Sequence, residues 1–130
     1  MQTGAEPLRV SSVLRGREGE AIAALFLEMN GYRIVGRNVR CGPLEIDLLA
    51  RKAGILAVVE VRLRSSRSHG RPEESVRWRK RHLLRQAAAC LPGRVPLEGA
   101  RLRFDVIAIE TEPFGLHLRH LQDWWRPCAR

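Results

Sequence analysis

The chain has 130 residues, enough for one domain around a single core and too few for two. It is 45% hydrophobic and 28% charged, it has no apolar run long enough to cross a bilayer, and its N-terminus carries no secretory leader pattern, so neither a membrane-embedded nor an exported class is expected. A net charge of +9 and a sequence pI near 11.1 point to a polyanionic partner, nucleic acid ahead of a membrane surface, since no basic amphipathic helix with an exposed apolar face stands out.

Residues 1–12 are polar and aperiodic and read as a flexible N-terminal arm ahead of a single domain, 13–130. From Arg15 to Asn30 the pattern is helical, with Ile22, Leu25, Phe26 and Met29 as the expected core stripe and Asn30-Gly31 as the stop. Glu18 and Glu20 lie in the first turn, where acids suit the helix dipole. Tyr32 to Arg40 alternates weakly as a first strand, and Cys41-Gly42-Pro43 signals a turn. Leu44 to Ala50 and Ile55 to Leu63 are aliphatic and β-branched strands, joined by a four-residue loop, Arg51-Lys52-Ala53-Gly54. Pairing Ala50 with Ile55 puts Asp47 opposite Val58 and Glu45 opposite Glu60. Glu45, Asp47, Glu60 and Arg62 then share one face. A loop one residue longer would separate them.

Arg64 to Pro72 is an Arg-, Ser- and Gly-rich loop. Glu73 to Leu91 reads as a second helix, with Val76, Leu83, Leu84, Ala87, Ala88 and Leu91 facing the core, ended by Pro92-Gly93. Leu102 to Ile109 is a further strand carrying Asp105, Leu116 to Leu121 a short edge strand, and Asp123-Trp124-Trp125 a closing turn or helix. The order α-β-β-β-α-β implies an α/β domain with a mixed β-sheet flanked by helices.

Cys41, Cys90 and Cys128 are odd in number and lack CxxC spacing. Neither zinc nor a disulfide framework is expected, and they read as idle thiols in a reducing cytoplasm. His117 and His120 have no cysteine pair nearby, and no metal role is expected of them.

The chemistry concentrates in Glu45-Ile46-Asp47 and Glu60-Val61-Arg62, because charges inside apolar strands are costly unless something pairs with them. Phosphodiester hydrolysis needs oxygen ligands for a divalent metal, a metal that activates water, and a cation for the charge developing on the phosphoryl group. Asp47 and Glu60 suit the metal, the Val61 carbonyl is a further ligand, Glu20 adds an acid from the first helix, and Arg62 is the cation. The plain alternative is a salt-bridged strand pair with Arg62 or Arg40 as the partner. Arg40, Arg64, Arg67, Arg71, Arg77, Arg79, Lys80 and Arg81 would track phosphates without reading bases, or form a solvated charge run. Trp78 among them would stack on a base or pack on the sheet. Asp105 and Asp123 are expected to pair with arginines. Lys52 and Lys80 are the two lysines among 23 basic residues, a skew that also fits biased genome composition.

The chain resembles the YraN-like family of small bacterial proteins, predicted nucleases similar to archaeal Holliday-junction resolvases and to the restriction-endonuclease-like PD-(D/E)xK superfamily. The resemblance runs from Gly16 to Ile109. It is carried by Gly16-x-x-Gly19-Glu20, Gly31-Tyr32-x-Ile34, Asn38-x-Arg40-Cys41, Glu45-Ile46-Asp47, Glu60-Val61-Arg62-x-Arg64, Gly70-x-Pro72, Lys80 and Arg103-Phe104-Asp105-Val106. It implies a restriction-endonuclease-like fold and a nuclease using magnesium or manganese, with Glu20, Asp47 and Glu60 as its acids. It also implies DNA ahead of RNA as substrate, branched or structured, and a homodimer by analogy with resolvases. Two positions depart from the pattern: Leu44 stands where the family has glycine, and Arg62 where the superfamily has lysine. Arginine does not give up its proton, so Arg62 clamps phosphate but is no general base. A non-catalytic nucleic-acid-binding module on the same fold is the alternative that Arg62 raises.

Overall fold

The computed structural model describes residues 12–65, 80–93 and 99–123. Helix α1 (Ser12–Met29) leads into strands β1 (Arg33–Cys41), β2 (Leu44–Lys52) and β3 (Ile55–Ser65). Helix α2 (Lys80–Cys90), a 3-10 turn at Leu91–Gly93, and strands β4 (Arg101–Glu112) and β5 (Gly115–Leu121) follow. The five strands form one sheet in the order β1-β2-β3-β4-β5. The pairing of β3 with β4 is parallel and the other three are antiparallel, as a meander followed by a helical crossover requires. This is the mixed α/β sheet expected from the sequence, and it is consistent with a restriction-endonuclease-like fold. The expected arm falls outside the described residues except for Ser12, which begins α1, and residues 73–79 of the expected second helix, with Val76 and Trp78, are also outside, as are Trp124, Trp125 and Cys128.

Each helix covers one face of the sheet. Ala23, Ala24 and Leu27 of α1 pack on Leu48, Ala50, Ala57, Val59, Ile107 and Ile109. Ala87 of α2 and Leu91 pack on Leu44, Ile46, Leu49, Leu56, Val58, Phe104 and Val106. The expected α1 stripe is corrected here: Leu25 is 58% and Met29 75% exposed, with Ile22 and Phe26 at the margin of the core. Ala23, Ala24 and Leu27 make the contact instead, and a Cβ on buried Gly19 would meet Leu63 at 3.5 Å, so the helix axis lies close to the sheet. In α2 Ala87 is buried but Ala88 is exposed. Gly31, at φ +92, ends α1: its N–H donates to the Glu28 carbonyl and the Tyr32 N–H to the Leu27 carbonyl, a left-handed cap that a side chain would strain.

The β2–β3 turn is tighter than expected. Lys52 pairs with Ile55 across Ala53-Gly54, so the register differs by two residues from the Ala50–Ile55 pairing. A two-residue shift keeps side chains on their faces.

The cysteine expectation is corrected as well. Cys41, at the end of β1, and Cys90, at the end of α2, form a disulfide with Cα atoms 5.8 Å apart. A separation of 49 residues hid the pair, because the packing of α2 on the sheet is what brings them together.

Candidate acidic cleft at the β2–β3 fork

The paired ladder of β2 and β3 ends at Leu48 and Val59. Beyond it the strands part, and Asp47 closes the gap: its Oδ2 accepts a hydrogen bond from the Val61 backbone N–H at 2.8 Å. A side chain thus stands in for a ladder partner at the mouth of the fork.

Alternation of side chains also fails at Asp47. Leu44 and Ile46 face α2, whereas Leu48 and Ala50 face α1. Residues of equal parity therefore lie on opposite faces, and the change falls at Asp47. Strand β1 changes at the facing position. Gly36 is opposite Leu49, Arg37 opposite Leu48 and Val39 opposite Ile46, with Asn38 between them at φ 50. Asparagine tolerates this left-handed backbone better than most residues. Gly36 is required nearby, since a Cβ there would lie 2.7 Å from Val39 Cγ2.

The kink corrects the expectation that four charged groups share one sheet face. Glu60 and Arg62 lie between residues that pack toward α1, so they project toward the α2 face. Glu45, between Leu44 and Ile46, projects toward the α1 face. Glu45, Asp47 and Glu60 nevertheless border one small space at the fork. Leu44, Glu45, Ile46, Asp47, Val58, Val59, Glu60 and Phe104 line one open cleft.

Electrostatics single out Asp47. Burial pushes its carboxyl up to about 7, and the charges of Glu60, Glu20 and Glu45 add to the rise, opposed by the Val61 N–H. Glu20 of α1 is thus part of the same field, although the cleft lining does not include it. Arg62 Nη2 lies 3.3 Å from Glu60 Oε2, which is the strand ion pair weighed as the plain alternative. Arg62 Nε is buried with no acceptor among the described residues. The donor set is all oxygen, which fits magnesium or manganese in kind. Among the described residues no three His, Cys, Asp or Glu side chains form a ready cage for an ion.

Of the expected phosphate contacts, Arg40 is exposed at the end of β1 opposite Glu45, and Arg64 is half-buried near the end of β3. Lys80 stands at the described start of α2. Arg67, Arg71, Arg77 and Arg79 lie outside the described residues. No described helix is long and apolar enough to cross a membrane.

Asp105 belongs to a separate network on the α1 face. It is fully buried and accepts from Arg103 Nε at 2.8 Å, Arg103 Nη2 at 2.7 Å and the Asp123 backbone N–H at 3.0 Å, with His120 Nε2 at 2.9 Å. Arg103 Nη2 also donates to the Tyr32 hydroxyl at 2.6 Å. Burial alone would raise the Asp105 carboxyl, but hydrogen bonds from His120, Arg103 and the Asp123 N–H outweigh it and hold it below the usual range. The expected arginine pairing of Asp105 is therefore present, and the network ties β4 and β5 to the start of β1 rather than forming a cleft.

A family model described as the uncharacterised protein family UPF0102 matches residues 19–109. A UPF0102 protein of Moorella thermoacetica is 48% identical over 95 residues, covering 73% of this chain and 79% of its own length. One from Symbiobacterium thermophilum is 42% identical over 109 residues, covering 83% and 92%, and one from Chloroherpeton thalassium is 41% identical over 99 residues, covering 76% and 77%. The matched segment contains Glu20, Asp47, Glu60 and Arg62.

Proposed function

The chain belongs to the uncharacterised protein family UPF0102, and from the cleft at the β2–β3 fork we propose that it is a divalent-metal-dependent nuclease of the PD-(D/E)xK kind, acting on DNA, with branched or structured DNA as the first candidate substrate. One observation carries the reading: a carboxyl held near 7 by burial and by three neighbouring acids, at the mouth of an open cleft. Such a crowding of negative charge is costly unless a cation relieves it. Asp47 and Glu60 would hold magnesium or manganese, with the Val61 carbonyl as a further oxygen and Glu20 as an outer acid. The ion would supply charge neutralisation at the phosphate and a water acidic enough to attack.

The chain's own groups set the rest. The Val61 N–H orients the Asp47 carboxylate. Arg62 sits beside Glu60 and supplies a cation next to the acids. It donates and does not take a proton, so no general base is assigned to it. The basic surface would hold the sugar-phosphate backbone.

The deciding experiment incubates the full chain with labelled four-way-junction and linear DNA, with manganese, with magnesium and with chelator. Cleavage that requires the ion and is abolished in Asp47→Ala is the expected result. Salt-sensitive DNA binding with no ion-dependent cleavage would replace this reading with the non-catalytic module, which the Arg62–Glu60 ion pair favours by already placing a cation at the acid.

A further inference from the structure

Strand β1 is an edge of the sheet, and Arg33, Arg37 and Arg40 are exposed along it. In a regular strand Arg37 and Arg40, three positions apart, would project from opposite faces. Here they do not. Arg37 is opposite Leu48, which faces α1. Arg40 is opposite Glu45, whose neighbours Leu44 and Ile46 both face α2, so Arg40 and Glu45 project toward the α1 face. The backbone reversal at Asn38 produces this, and it coincides with the matching reversal at Asp47 on β2. Arg37 and Arg40 consequently project from one side of the sheet, opposite Leu48 and Glu45, the β2 residues that bracket Ile46 and Asp47.

We propose that Arg37 and Arg40 form a two-point clamp for the phosphodiester backbone of DNA, brought to one side of the sheet by the Asn38 kink, with Arg40 paired opposite Glu45 of the acidic cleft. The identity of the ligand rests on the nuclease reading above, while the clamp itself rests on the β1 geometry. Arginine suits the role because its planar fork takes two phosphate oxygens at once. Basic residues on an edge strand also guard against edge-to-edge pairing. That duty would be met by arginines on either face, and it gives no reason for both to project from the same one. Cations here also offset the field of Glu20, Glu45 and Glu60, which would otherwise repel a polyanion from the cleft. Arg40 is among the phosphate contacts expected from the sequence, and Arg37 is not.

The test is an anisotropy titration of a 30-base-pair DNA duplex at several salt concentrations, in chelator so that nothing is cut. Arg37→Ala and Arg40→Ala should each flatten the slope of log K against log salt by about 0.9, and the double variant by about twice that. Arg101→Ala removes an exposed arginine at the opposite end of the sheet and should leave the slope unchanged. The charge-conserving pair Arg37→Lys and Arg40→Lys should restore the slope, which separates lost contacts from damaged folding. A double alanine variant with the wild-type slope, or an Arg101→Ala effect of the same size, overturns the clamp even if the wild-type protein cleaves DNA with manganese. A flattened slope in a protein that never cleaves DNA refutes the nuclease and supports the clamp.

Discussion

The Val61 backbone N–H donates to Asp47 Oδ2 at 2.8 Å where β2 and β3 cease to pair. That bond fixes the one carboxyl among the described residues that the fold pushes above its ordinary range.

The first test concerns pH. Asp47 titrates near 7 in the folded chain and near 3.8 when exposed. Between those values the native state holds a proton that the unfolded state has lost, so stability falls as pH rises through the window. Below about 3.8 the two states are equally protonated at this site, and above about 7 the full cost of the buried charge is present. Asp47→Asn keeps an oxygen for the Val61 N–H and removes the charge. Without metal at pH 8 it should be more stable than wild type by about 1–3 kcal/mol, with the gap closing toward pH 4. Urea melts at the two pH values measure this, and an unchanged gap would contradict the burial of a charged Asp47.

Metal should reverse that order. Manganese or magnesium at pH 8 should raise the melting temperature of wild type and leave Asp47→Asn unmoved, because a ligand that binds only the native state stabilises it by mass action. Thermal melts with and without the ion, in the absence of DNA, give this readout independently of cleavage.

Arg62→Lys tests the departed motif position. Lysine keeps a cation beside Glu60 and regains a proton that can be shed when its pKa is lowered. Cleavage by this variant should exceed wild type in rate, and more so above pH 8. Equal or lower rates with metal binding intact would show that Arg62 is not a weakened form of a catalytic lysine.

The Asp105 network should be structural. Asp105→Ala leaves Arg103, with a 12% exposed side chain, next to an empty acceptor, and should cost about 3–5 kcal/mol in urea unfolding. Its stabilisation of the charged form is present above the ordinary carboxylate range and lost as pH falls through the lowered folded value.

Cys90→Ser should lower stability by about 2–4 kcal/mol under oxidising conditions, since the bridge closes a long loop. Dithiothreitol should erase the difference between wild type and variant.

Much of this protein was legible in its residues. Alternating aliphatic stretches marked the strands, Asn30-Gly31 marked the end of α1, and the order of elements required a mixed sheet. The same local chemistry pointed to Asp47, Glu60 and Arg62, because charges in apolar strands demand partners. Face assignments and partnerships were not legible. They depend on the left-handed backbone at Asn38, the matching reversal at Asp47 and the tight Ala53-Gly54 turn, where no periodic signal speaks. The α1 stripe misled for a related reason: hydrophobicity ranks Leu25 and Met29 above Ala23 and Ala24, but close packing on a sheet selects small side chains.

The sequence by itself determined which segments become helix and strand and which residues carry unusual charge, since both follow from side-chain chemistry within a few neighbours. The tertiary structure alone decided that Glu45, Asp47 and Glu60 border one pocket at a fork rather than sharing a face, that Cys41 reaches Cys90, and that Arg37 and Arg40 project from one side of the sheet. The first two are relations between distant segments and the third is a local backbone reversal; all are set by where the chain packs, kinks and parts, which no periodic pattern encodes.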